Sequence, residues 1–480
     1  MQKFEKKELK KKSENLSDWY NDVILKAELA DYAPVKGCMI IRPYGYNIWE
    51  NIQSYLDKKF KNLGVKNAYF PLFIPNSFLH KEKEHVEGFS PQLAVVTIGG
   101  GEKLKEPLIV RPTSETIMYD AYAKWINSWR DLPLLLNVWN NVIRWEKRTY
   151  LFLRTTEFLW QEGHTAHATS AEADSFARVI LDIYKKFDEE ELAVKIIAGE
   201  KSGAEKFAGA QSTYSLEALM PDGKALQMGT SHLLGDNFAK VFNIRYSDKE
   251  GKQQFVHQTS WAETTRVIGA LVMVHGDDHG LILPPRIVPV QVAIVAIPIK
   301  SDQKEKDIFV DKIKNELSIS GIRVEMDERY EDSVGRRFNY WEVKGVPLRI
   351  EIGEKEIKEG FLTVFRRDTF HKEKMNLVNF VQKISDLLDK IQVEALDRHR
   401  KFTEENTHTV DDYQEFKKIM KGKRGFIKSF WCENKECEAK IKNETKATSR
   451  VLPLDAPEEK GKCIYCGKAA KYRWYFAQAY

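Results

Sequence analysis

The stretch Phe152-Leu-Arg-Thr-Thr-Glu-Phe-Leu-Trp-Gln-Glu-Gly-His164 decides the fold of this chain. Asn141-Val-Ile-Arg-Trp-Glu146 precedes it, and the two apolar-rich segments flank a short turn, which predicts a hairpin whose second strand begins at Phe152. Arg111-Pro-Thr-Ser-Glu-Thr116 and Gly229-Thr-Ser-His232 carry similar groups. Together these segments supply arginines, carboxylates, hydroxyls and aromatic rings, which can hold phosphate, ribose and a small ring-shaped amino acid at once. The combination indicates a site that forms an aminoacyl adenylate.

Length and composition set the outer limits. A chain of 480 residues is too long for one hydrophobic core and predicts about three domains. The 75 basic and 70 acidic residues give a formal charge of +5, which is too small to indicate nucleic-acid binding without a localised patch. The best candidate membrane span, Ile287 to Ile299, is short and contains two prolines, and Met1 to Lys12 lacks the apolar core of a secretory signal. We therefore expect a cytoplasmic protein with no membrane partner.

Four of the five cysteines lie in the last fifty residues. Cys432 and Cys437 form a C-x4-C pair, and Cys463 and Cys466 form a C-x2-C pair, a spacing typical of a tetrahedral zinc site. Two disulfides would explain the same residues, although a cytosolic protein disfavours them. Four thiolates leave no open position for water, so zinc would be structural. Cys38 is expected to be a small buried apolar residue.

Composition and punctuation divide the chain into domains at 1–285, 286–400 and 401–480. In the first, the apolar residues from Asn47 to Leu63 repeat with a helical period, and Gly64 is placed to end the helix. The segment Ala68-Tyr-Phe-Pro-Leu-Phe-Ile-Pro75 follows and reads as a strand at an edge or a bulge of a sheet, because proline cannot donate to the sheet. The last segment, Tyr472 to Tyr480, holds five aromatic residues and is expected to dock against the body of the protein.

The second domain is predicted to be α/β. The β-branched run Val288 to Ile299, a charged helix ending at Leu317 and the strand Gly321 to Met326 read as a parallel strand-helix-strand unit. The rest of the domain is predicted to form two strands and a helix. The strands are Val346–Gly353 and Phe361–Arg367, and the helix runs from Asn376 to about Val393.

These motifs closely resemble prolyl-tRNA synthetase, a class II aminoacyl-tRNA synthetase, over essentially the whole chain from Asp18. The resemblance is to the archaeal or eukaryote-like type with a C-terminal zinc domain. It implies an α+β catalytic domain with an antiparallel sheet flanked by helices, an α/β anticodon-binding domain and a small α+β zinc domain. It also implies a homodimer built on the helix and edge strand of the first domain. In this type Tyr480 corresponds to a terminal tyrosine whose carboxylate lies near the active site.

The resemblance also assigns roles to residues. Arg144, in the second class II motif, and Arg266, in Trp261-Ala-Glu-Thr-Thr-Arg-Val-Ile-Gly269, would be the catalytic arginines that neutralise phosphate charge. Magnesium would accompany ATP. The implied ATP-binding residues are Arg144, Glu146, Arg154, Thr155, Gln227, Thr230, Thr264 and Arg266. The implied proline-binding residues are Thr113, Glu115, Arg144, Phe158, Trp160, Glu162, His164, Phe207, Ser231 and His232.

The implied reaction has two steps: proline and ATP give prolyl-adenylate and pyrophosphate, and tRNA(Pro) then accepts the prolyl group. Only 72 residues separate Arg154 from Gln227, which leaves no room for an inserted editing domain, so no hydrolysis of misacylated alanine in cis is expected.

Three alternatives stay open at this point. A threonyl- or seryl-type relative would share the motifs, although no His-Cys set for a catalytic zinc precedes Cys432. A noncatalytic RNA-binding paralogue would be expected to lose Arg144 or Arg266. Within the second domain, a group of charged and aromatic residues either reads the anticodon, the interpretation favoured slightly by its position, or consists of surface charges and buried rings. The group comprises Arg336, Arg337, Tyr340 and Trp341.

Overall fold

A computed structural model describes residues 9–81, 93–300 and 302–480, so the first eight positions of the charged N-terminal run lie outside the described residues. The first part of the chain alternates helices and mostly antiparallel strands. Its helices are α1 Leu16–Lys26, α2 Pro43–Asn62, α3 Asn76–Lys81, α4 Glu115–Trp125, α5 Ser170–Glu190, α6 Asn237–Phe242 and α7 Arg266–His275. Its strands are β1 Ala30–Tyr32, β2 Met39–Ile41, β3 Lys66–Asn67, β4 Phe73–Pro75, β5 Ala94–Gly99, β6 Glu102–Val110, β7 Leu134–Ile143, β8 Glu157–His167, β9 Ile197–Glu200, β10 Ser212–Leu219, β11 Ala225–Gly235, β12 Arg245–Ser247, β13 Gln253–Phe255 and β14 His257–Thr264.

The second part contains the predicted α/β sheet. Its elements are β15 Val292–Ala296, α8 Gln303–Ile319, β16 Val324–Met326, α9 Val334–Val343, β17 Leu348–Ile352, α10 Glu354–Glu359, β18 Phe361–Arg366, β19 Lys372–Asn376 and α11 Phe380–Glu405. Strand β15 pairs in parallel with both β16 and β17, which confirms the parallel unit, and β18 and β19 extend the sheet antiparallel. Helix α11 continues to Glu405, so residue 400, the predicted second boundary, lies inside a helix.

The third part is small but joins the first. Its elements are β20 Thr407–Thr409, α12 Tyr413–Lys421, β21 Phe426–Trp431, α13 Lys435–Thr445, β22 Ala447–Pro453, β23 Gly461–Lys462, β24 Ala469–Ala470 and β25 Tyr472–Gln478. One 11-stranded sheet runs through both parts in the order β20-β21-β25-β22-β9-β10-β11-β14-β8-β7-β3. The aromatic C-terminal segment is therefore an internal strand of this sheet, which confirms that it docks against the body of the protein.

Helix α5 covers one face of the central strands. Thr169 caps it, because the Thr169 hydroxyl accepts from the backbone N–H of Glu172 and the Glu172 carboxylate accepts from the N–H of Thr169, each at 3.2 Å. Its buried stripe includes Tyr184, which lies edge-on to Phe60 of α2. The sheet is thus covered on this side, and its other face is available for a site.

A glycine on β8 allows the sheet to pack closely. Gly163 lies opposite Trp261 in the register of β8 and β14. A Cβ at Gly163 would meet the Trp261 ring at 2.1 Å, so only glycine fits beneath the indole. The role of Gly163 is therefore to leave room for the Trp261 ring to pack against β8.

One predicted strand is wrong. The second strand of the hairpin begins at Glu157 and not at Phe152, and residues 144–156 form an irregular connection between β7 and β8. Phe152 has φ = 60°, a left-handed conformation that ends any extended strand, and its apolar neighbours Leu151 and Leu153 are buried as part of this connection. Apolar residues predicted a strand because they are buried, but here the buried segment is a turn.

Candidate active site

A cavity of about 260 Å³ lies on the sheet face opposite α5. Strands β8, β10, β11 and β14 form its floor, and the segment after β9 forms one wall. Its lining residues are Thr113, Glu115, Arg144, Phe158, Trp160, Glu162, His164, Lys201, Glu205, Phe207, Thr213, Gln227, Met228, Gly229, Thr230, His232, Ser260, Trp261, Ala262, Thr264 and Arg266.

Most residues predicted for proline and ATP binding are brought together here. On β8, Phe158, Trp160, Glu162 and His164 alternate along the strand, and alternation places them all on the cavity face. The other predicted residues that line the cavity are Thr113, Glu115, Arg144, Phe207, Gln227, Thr230, His232, Thr264 and Arg266.

The predicted contact of the Ser231 side chain with proline does not agree with the structure. Thr230 and His232 line the cavity, and the Ser231 side chain between them points to the other face of β11, where its hydroxyl donates to the Ala177 carbonyl of α5 at 2.7 Å. Ser231 is fully buried there and cannot touch a ligand in the cavity.

Three further predicted residues lie on the connection 144–156 or at its end, outside the cavity lining. Arg154 and Glu146 form an ion pair at 2.7 Å. The Thr155 hydroxyl donates to the Glu157 carbonyl at 2.7 Å. The connection thus places a guanidinium, a carboxylate and a hydroxyl beside the cavity.

Glu162 is the polar centre of the cavity floor. Its carboxylate accepts hydrogen bonds from the Ser114 hydroxyl and from Asn140 Nδ2, the latter at 3.0 Å. It also pairs with His164 Nε2 at 3.1 Å. Burial alone would raise the pKa of Glu162, but the hydrogen bond and charge of His164, together with the bonds from Ser114 and Asn140, outweigh burial and lower the pKa. Glu162 is therefore an anion at neutral pH.

His164 stands between this carboxylate and Tyr119. Its Nδ1 lies 3.1 Å from the Tyr119 hydroxyl. Burial would lower the pKa of His164, but the Glu162 hydrogen bond and the charges of Glu115 and Glu162 raise it. Glu115 itself accepts a hydrogen bond from the Thr113 hydroxyl. Two carboxylates thus give this end of the cavity a negative potential that suits an ammonium group.

The opposite wall is neutral and aromatic. Phe207 and His232 lie with ring centroids 4.9 Å apart. Burial, with smaller contributions from His164 and Lys201, lowers the pKa of His232 to about 3, so its imidazole is uncharged. Thr213 holds it through a hydrogen bond of 3.0 Å to Nδ1. The wall can therefore pack against a small apolar ring.

Arg144 projects from the end of β7 into the middle of the cavity. Its Nε donates to the Pro112 carbonyl at 3.1 Å, and its guanidinium lies 5.5 Å from the Phe158 ring and 5.4 Å from the Trp160 ring. Burial lowers the pKa of Arg144, and Glu115 and Glu162 oppose the shift. The guanidinium still carries its charge at neutral pH, since its ordinary pKa is far above 7.

Arg266 is the first residue of α7. Its guanidinium donates to the carbonyls of Leu153 at 3.2 Å and Gln227 at 3.3 Å. Burial and the like charges of Arg144 and Arg154 lower the pKa of Arg266 to about 10. Three guanidiniums that repel one another form a site for a polyanion, because a bound polyphosphate would relieve the repulsion.

Several residues that line the cavity were not predicted from the sequence. Lys201 and Glu205 belong to the wall after β9, and Thr213 lies on β10. The only local signal is Lys201-Ser-Gly203, a turn that follows a strand. A turn signal does not reveal that the lysine points into a cavity.

The four C-terminal cysteines form one cluster. Their Sγ atoms all lie within 4.8 Å of one another, and Cys432 Sγ is 3.7 Å from Cys437 Sγ and 3.6 Å from Cys466 Sγ. All are free thiols, so the disulfide alternative is not the arrangement present. Four ligands at a Zn–S distance of about 2.3 Å stand roughly 3.8 Å apart in a tetrahedron. The cluster therefore fits a zinc ion. Cys38 is half-buried, and burial raises the pKa of its thiol.

The predicted anticodon group is largely structural, which corrects the favoured interpretation. Arg337 is 1% exposed and donates from Nε to Asp327 at 2.9 Å, and Trp341 Nε1 donates to the same carboxylate at 2.7 Å. Tyr340 donates to Glu28 at 3.3 Å. Only Arg336 remains well exposed among the four, at 64% of its side chain. Burial leaves Arg337 and Trp341 unable to stack on bases, and Tyr340 is half-buried.

Tyr480 lies beside the turn that joins β10 to β11. Its backbone N–H donates to the Ala225 carbonyl at 3.1 Å, and its ring lies 4.6 Å from Lys224 Nζ. Ala225 is two residues before Gln227 of the cavity on the same strand. The C-terminal segment thus reaches a strand of the site without lining the cavity. In the described residues no helix is both long and apolar enough to cross a membrane.

Three family models match the chain in the order of its three parts. The tRNA synthetase class II core domain (G, H, P, S and T) matches residues 97–275, the anticodon binding domain matches 291–387, and the C-terminal domain of prolyl-tRNA synthetase matches 413–480. A proline-tRNA ligase 2 of Clostridioides difficile (strain 630) is 51% identical over 98% of this chain and 98% of its own length. The chain belongs to the prolyl-tRNA synthetase family.

Other relatives agree. A proline-tRNA ligase of Borreliella burgdorferi (strain ZS7) is 51% identical over 98% of this chain and 99% of its own. A crystal structure of prolyl-tRNA synthetase from Cryptosporidium parvum, complexed with halofuginone and AMPPNP, matches with a TM-score of 0.94 and 42% identity, covering 98% of this chain and 99% of that one. Family membership confirms the predicted fold class and favours the prolyl interpretation over the threonyl or seryl alternative. The boundaries at 285 and 400 stay predictions.

Proposed function

We propose that this protein attaches L-proline to tRNA(Pro) in two ATP-dependent steps through prolyl-adenylate. The observation that carries the proposal is the polarity of the cavity. One side presents the guanidiniums of Arg144 and Arg266, and the other presents carboxylates beside neutral rings. A ligand that joins a small cationic apolar ring to a phosphate matches both sides, and family membership supports this ligand being prolyl-adenylate.

In the proposed complex, the proline ring packs between the aromatic walls of the cavity. Thr113 and Glu115 receive the secondary ammonium, and Glu162, which His164 holds in place, adds to the negative potential behind them. The neutral state of His232 matters, because a charged imidazole would repel the ammonium. Ser231 has no part in this binding, since it faces α5. The packing residues are Phe158, Trp160, Phe207 and His232.

Activation then depends on position and charge. Arg144 would hold the proline carboxylate against the α-phosphate, since a guanidinium offers parallel donors to either group. Arg266 would pair with the γ-phosphate, and Gln227, Thr230 and Thr264 would contact the nucleotide from the floor. The connection bearing Glu146, Arg154 and Thr155 would close over ATP. A protein nucleophile is not required, because the carboxylate itself attacks.

Two metal ions complete the proposal. Glu146, whose charge acts on both Arg144 and Arg266, offers the oxygen ligand that Mg²⁺ prefers, and a bound ion would spread phosphate charge. The four C-terminal thiols suit a structural Zn²⁺, which leaves no position for a substrate.

A homodimer is supported by exposed apolar side chains near the predicted interface. Tyr69 is 78% exposed and Phe73 45%, both within the predicted edge segment, and exposed apolar side chains are common at association sites. Sedimentation equilibrium that gives a monomer at micromolar concentration would contradict the dimer. The cytoplasmic location and the absence of alanine editing stay predictions.

The test is amino-acid-dependent exchange of pyrophosphate with ATP, measured without tRNA for proline, threonine, serine, alanine and cysteine in parallel. Exchange led by proline is expected. Exchange led by another amino acid would support adenylation but would contradict proline as the substrate. No exchange by the folded, zinc-loaded protein would favour the noncatalytic alternative.

A further inference from the structure

One wall of the cavity is a loop. Lys201, Glu205 and Phe207 line the cavity, yet residues 201–211, which connect β9 to β10, contain no helix or strand. A loop holds side chains in place only as well as its supports do. Thr213 of β10 supports it from one side, since it accepts from the backbone N–H groups of Phe207 and Lys201. Its other supports come from the third part of the chain, where the cysteine cluster lies.

The strongest support is a buried ion triad of Lys201, Glu217 and Arg450. Glu217 of β10 accepts from Lys201 Nζ at 2.7 Å on one carboxylate oxygen. Its other oxygen accepts from Arg450 of β22, from Nε at 3.0 Å and Nη2 at 2.7 Å. The three side chains are 4%, 0% and 7% exposed. Burial would raise the pKa of Glu217, but Arg450 and Lys201 outweigh it and lower the pKa.

Helix α13, which carries Cys437, reaches the same wall at two more points. The Ser202 hydroxyl donates to Glu438 at 3.0 Å, and Lys442 forms an ion pair with Glu205 at 3.3 Å. The Ser449 hydroxyl donates to the same Glu438 from β22. The wall is therefore connected to both the helix and the strand of the third part.

The backbone makes the fourth connection. Strand β22 pairs with β9 through Leu452 opposite Glu200 and Pro453 opposite Gly199. A Cβ at Gly199 would lie 2.2 Å from the Leu452 carbonyl oxygen, so the two chains approach as closely as glycine allows.

We propose that the C-terminal domain positions the amino-acid side of the active site, with Arg450 and Glu217 as positioning residues that act through Lys201 and the loop 201–207. Breaking a buried ion pair leaves an uncompensated charge, so Lys201 and Glu217 would rearrange when Arg450 is lost. The nucleotide side rests on Arg144, Arg266 and α7. The Arg266 side chain donates to the carbonyls of Leu153 and Gln227, and the charge of Glu217 reaches it although no hydrogen bond joins these two side chains in the described part of the chain. Loss of Arg450 therefore weakens the binding of proline and spares that of ATP. The proposal rests on the function proposed above.

The experiment is steady-state pyrophosphate exchange by the full chain, with separate KM values for proline and ATP. Arg450→Met is expected to raise the proline KM by about tenfold or more, with the ATP KM and kcat within about twofold of the parent protein. Arg450→Lys keeps the charge and is expected to give an intermediate proline KM. Arg473→Met is the matched control, because Arg473 pairs with Asp411 within the same domain and does not touch the wall. It is expected to leave the proline KM unchanged.

A second variant covers the case in which Arg450→Met does not fold. The side chain of Lys442 is 56% exposed. Lys442→Met therefore removes an ion pair to the loop 201–207 without leaving a buried charge unpaired. It is expected to raise the proline KM about two- to fivefold. An unchanged proline KM in a folded Arg450→Met, or in Lys442→Met if the former is not folded, overturns the positioning role. Equal rises in both KM values also overturn it. Absence of exchange in the parent protein overturns the proposed function instead.

Discussion

Arg144 and Arg266 illustrate how single residues gain function from their surroundings. Each guanidinium is held by backbone carbonyls, and each has a pKa lowered by burial. The charges of Glu115, Glu162 and Glu146 act on Arg144, and those of Glu217 and Glu146 act on Arg266. Both arginines line the cavity, where a phosphate group could meet them.

Replacing Arg144 by alanine is expected to remove this potential at the reacting centre. Proline-dependent pyrophosphate exchange should fall by at least about a hundredfold, because one charge-stabilising donor is lost. The melting temperature should change little, since Arg144 is not part of a packed core. Arg245→Ala, which removes an exposed arginine from the same part of the chain, serves as the control. Substantial residual exchange in Arg144→Ala would remove this residue from the mechanism.

Asp188 and Glu263 form a second unusual site on the other face of the sheet. Neither carboxyl has a donor from elsewhere in the described chain, and each is the other's polar neighbour. Burial, and then the proximity of the two groups, raises the pKa of Glu263 well above its usual value, and burial does the same for Asp188. A pair of this kind is stable only while it holds protons.

The pair makes stability depend on pH. The folded state keeps its protons to higher pH than the unfolded chain, so the free energy of unfolding falls as pH rises above the ordinary carboxyl range. Asp188→Asn should therefore gain stability relative to the parent protein between about pH 5 and pH 9 in urea unfolding. Asp182→Asn removes an exposed carboxylate from the same helix and should not reproduce the trend. A pH-independent difference for Asp188→Asn would be inconsistent with a protonated pair.

Some residues of the site could be predicted from sequence and others could not. The alternation of Phe158, Trp160, Glu162 and His164 is visible in the letters, and it also excludes Ser231 once Thr230 and His232 are assigned to the cavity. Arg337 was misjudged because its partner Asp327 lies on another element. The helical spacing of apolar residues does not show which charged residue of the helix forms an ion pair with a buried carboxylate.

At the scale of elements, the pairing of β9 with β22 is the most informative contact. It joins the two parts of the large sheet and supports the loop 201–207. The sequence gives no indication of it, because β9 has only four residues and its partner lies some 250 positions later. The hairpin of β7 and β8 was predictable because its strands are close in sequence, although the irregular connection shifted the second strand to Glu157.

Gly199→Ala tests this pairing. The added methyl group would collide with the Leu452 carbonyl, a backbone atom that cannot move without breaking the pairing. We expect a loss of about 1 to 3 kcal/mol in the free energy of unfolding. Gly203→Ala is the control within the same wall, because its nearest neighbour would be a Lys435 side-chain carbon at 3.9 Å. Equal stabilities of the two variants in urea unfolding would argue against a close strand pairing.

At the scale of the molecule, the cysteine cluster packs against the same sheet that forms the floor of the active site. Cys437 and Cys463 are buried in the same apolar cluster as Trp431 and Phe476 of the sheet. Loss of a metal would therefore loosen β21 and β25 before it affected the arginines of the cavity.

Metal removal is expected to destabilise the C-terminal domain first. A strong chelator should remove one zinc ion per chain, measured by elemental analysis, and lower the melting temperature, since structural zinc contributes several kcal/mol of folding free energy. While the protein stays folded, kcat at saturating proline should persist. Rapid loss of kcat in a folded, metal-free protein would contradict a structural role. Cys38→Ser, a thiol outside the cluster, should leave the metal content unchanged.

The mixed strand order of the large sheet also has a consequence during protein synthesis. Strands β9 and β10 leave the ribosome long before β22, which pairs with β9, and before β25, which pairs with β22. A nascent chain can thus assemble every arginine of the cavity while the wall that grips the amino acid is still unsupported. Translation of β22 would supply that support, so a copy terminated before β22 would compete poorly for the cell's free proline.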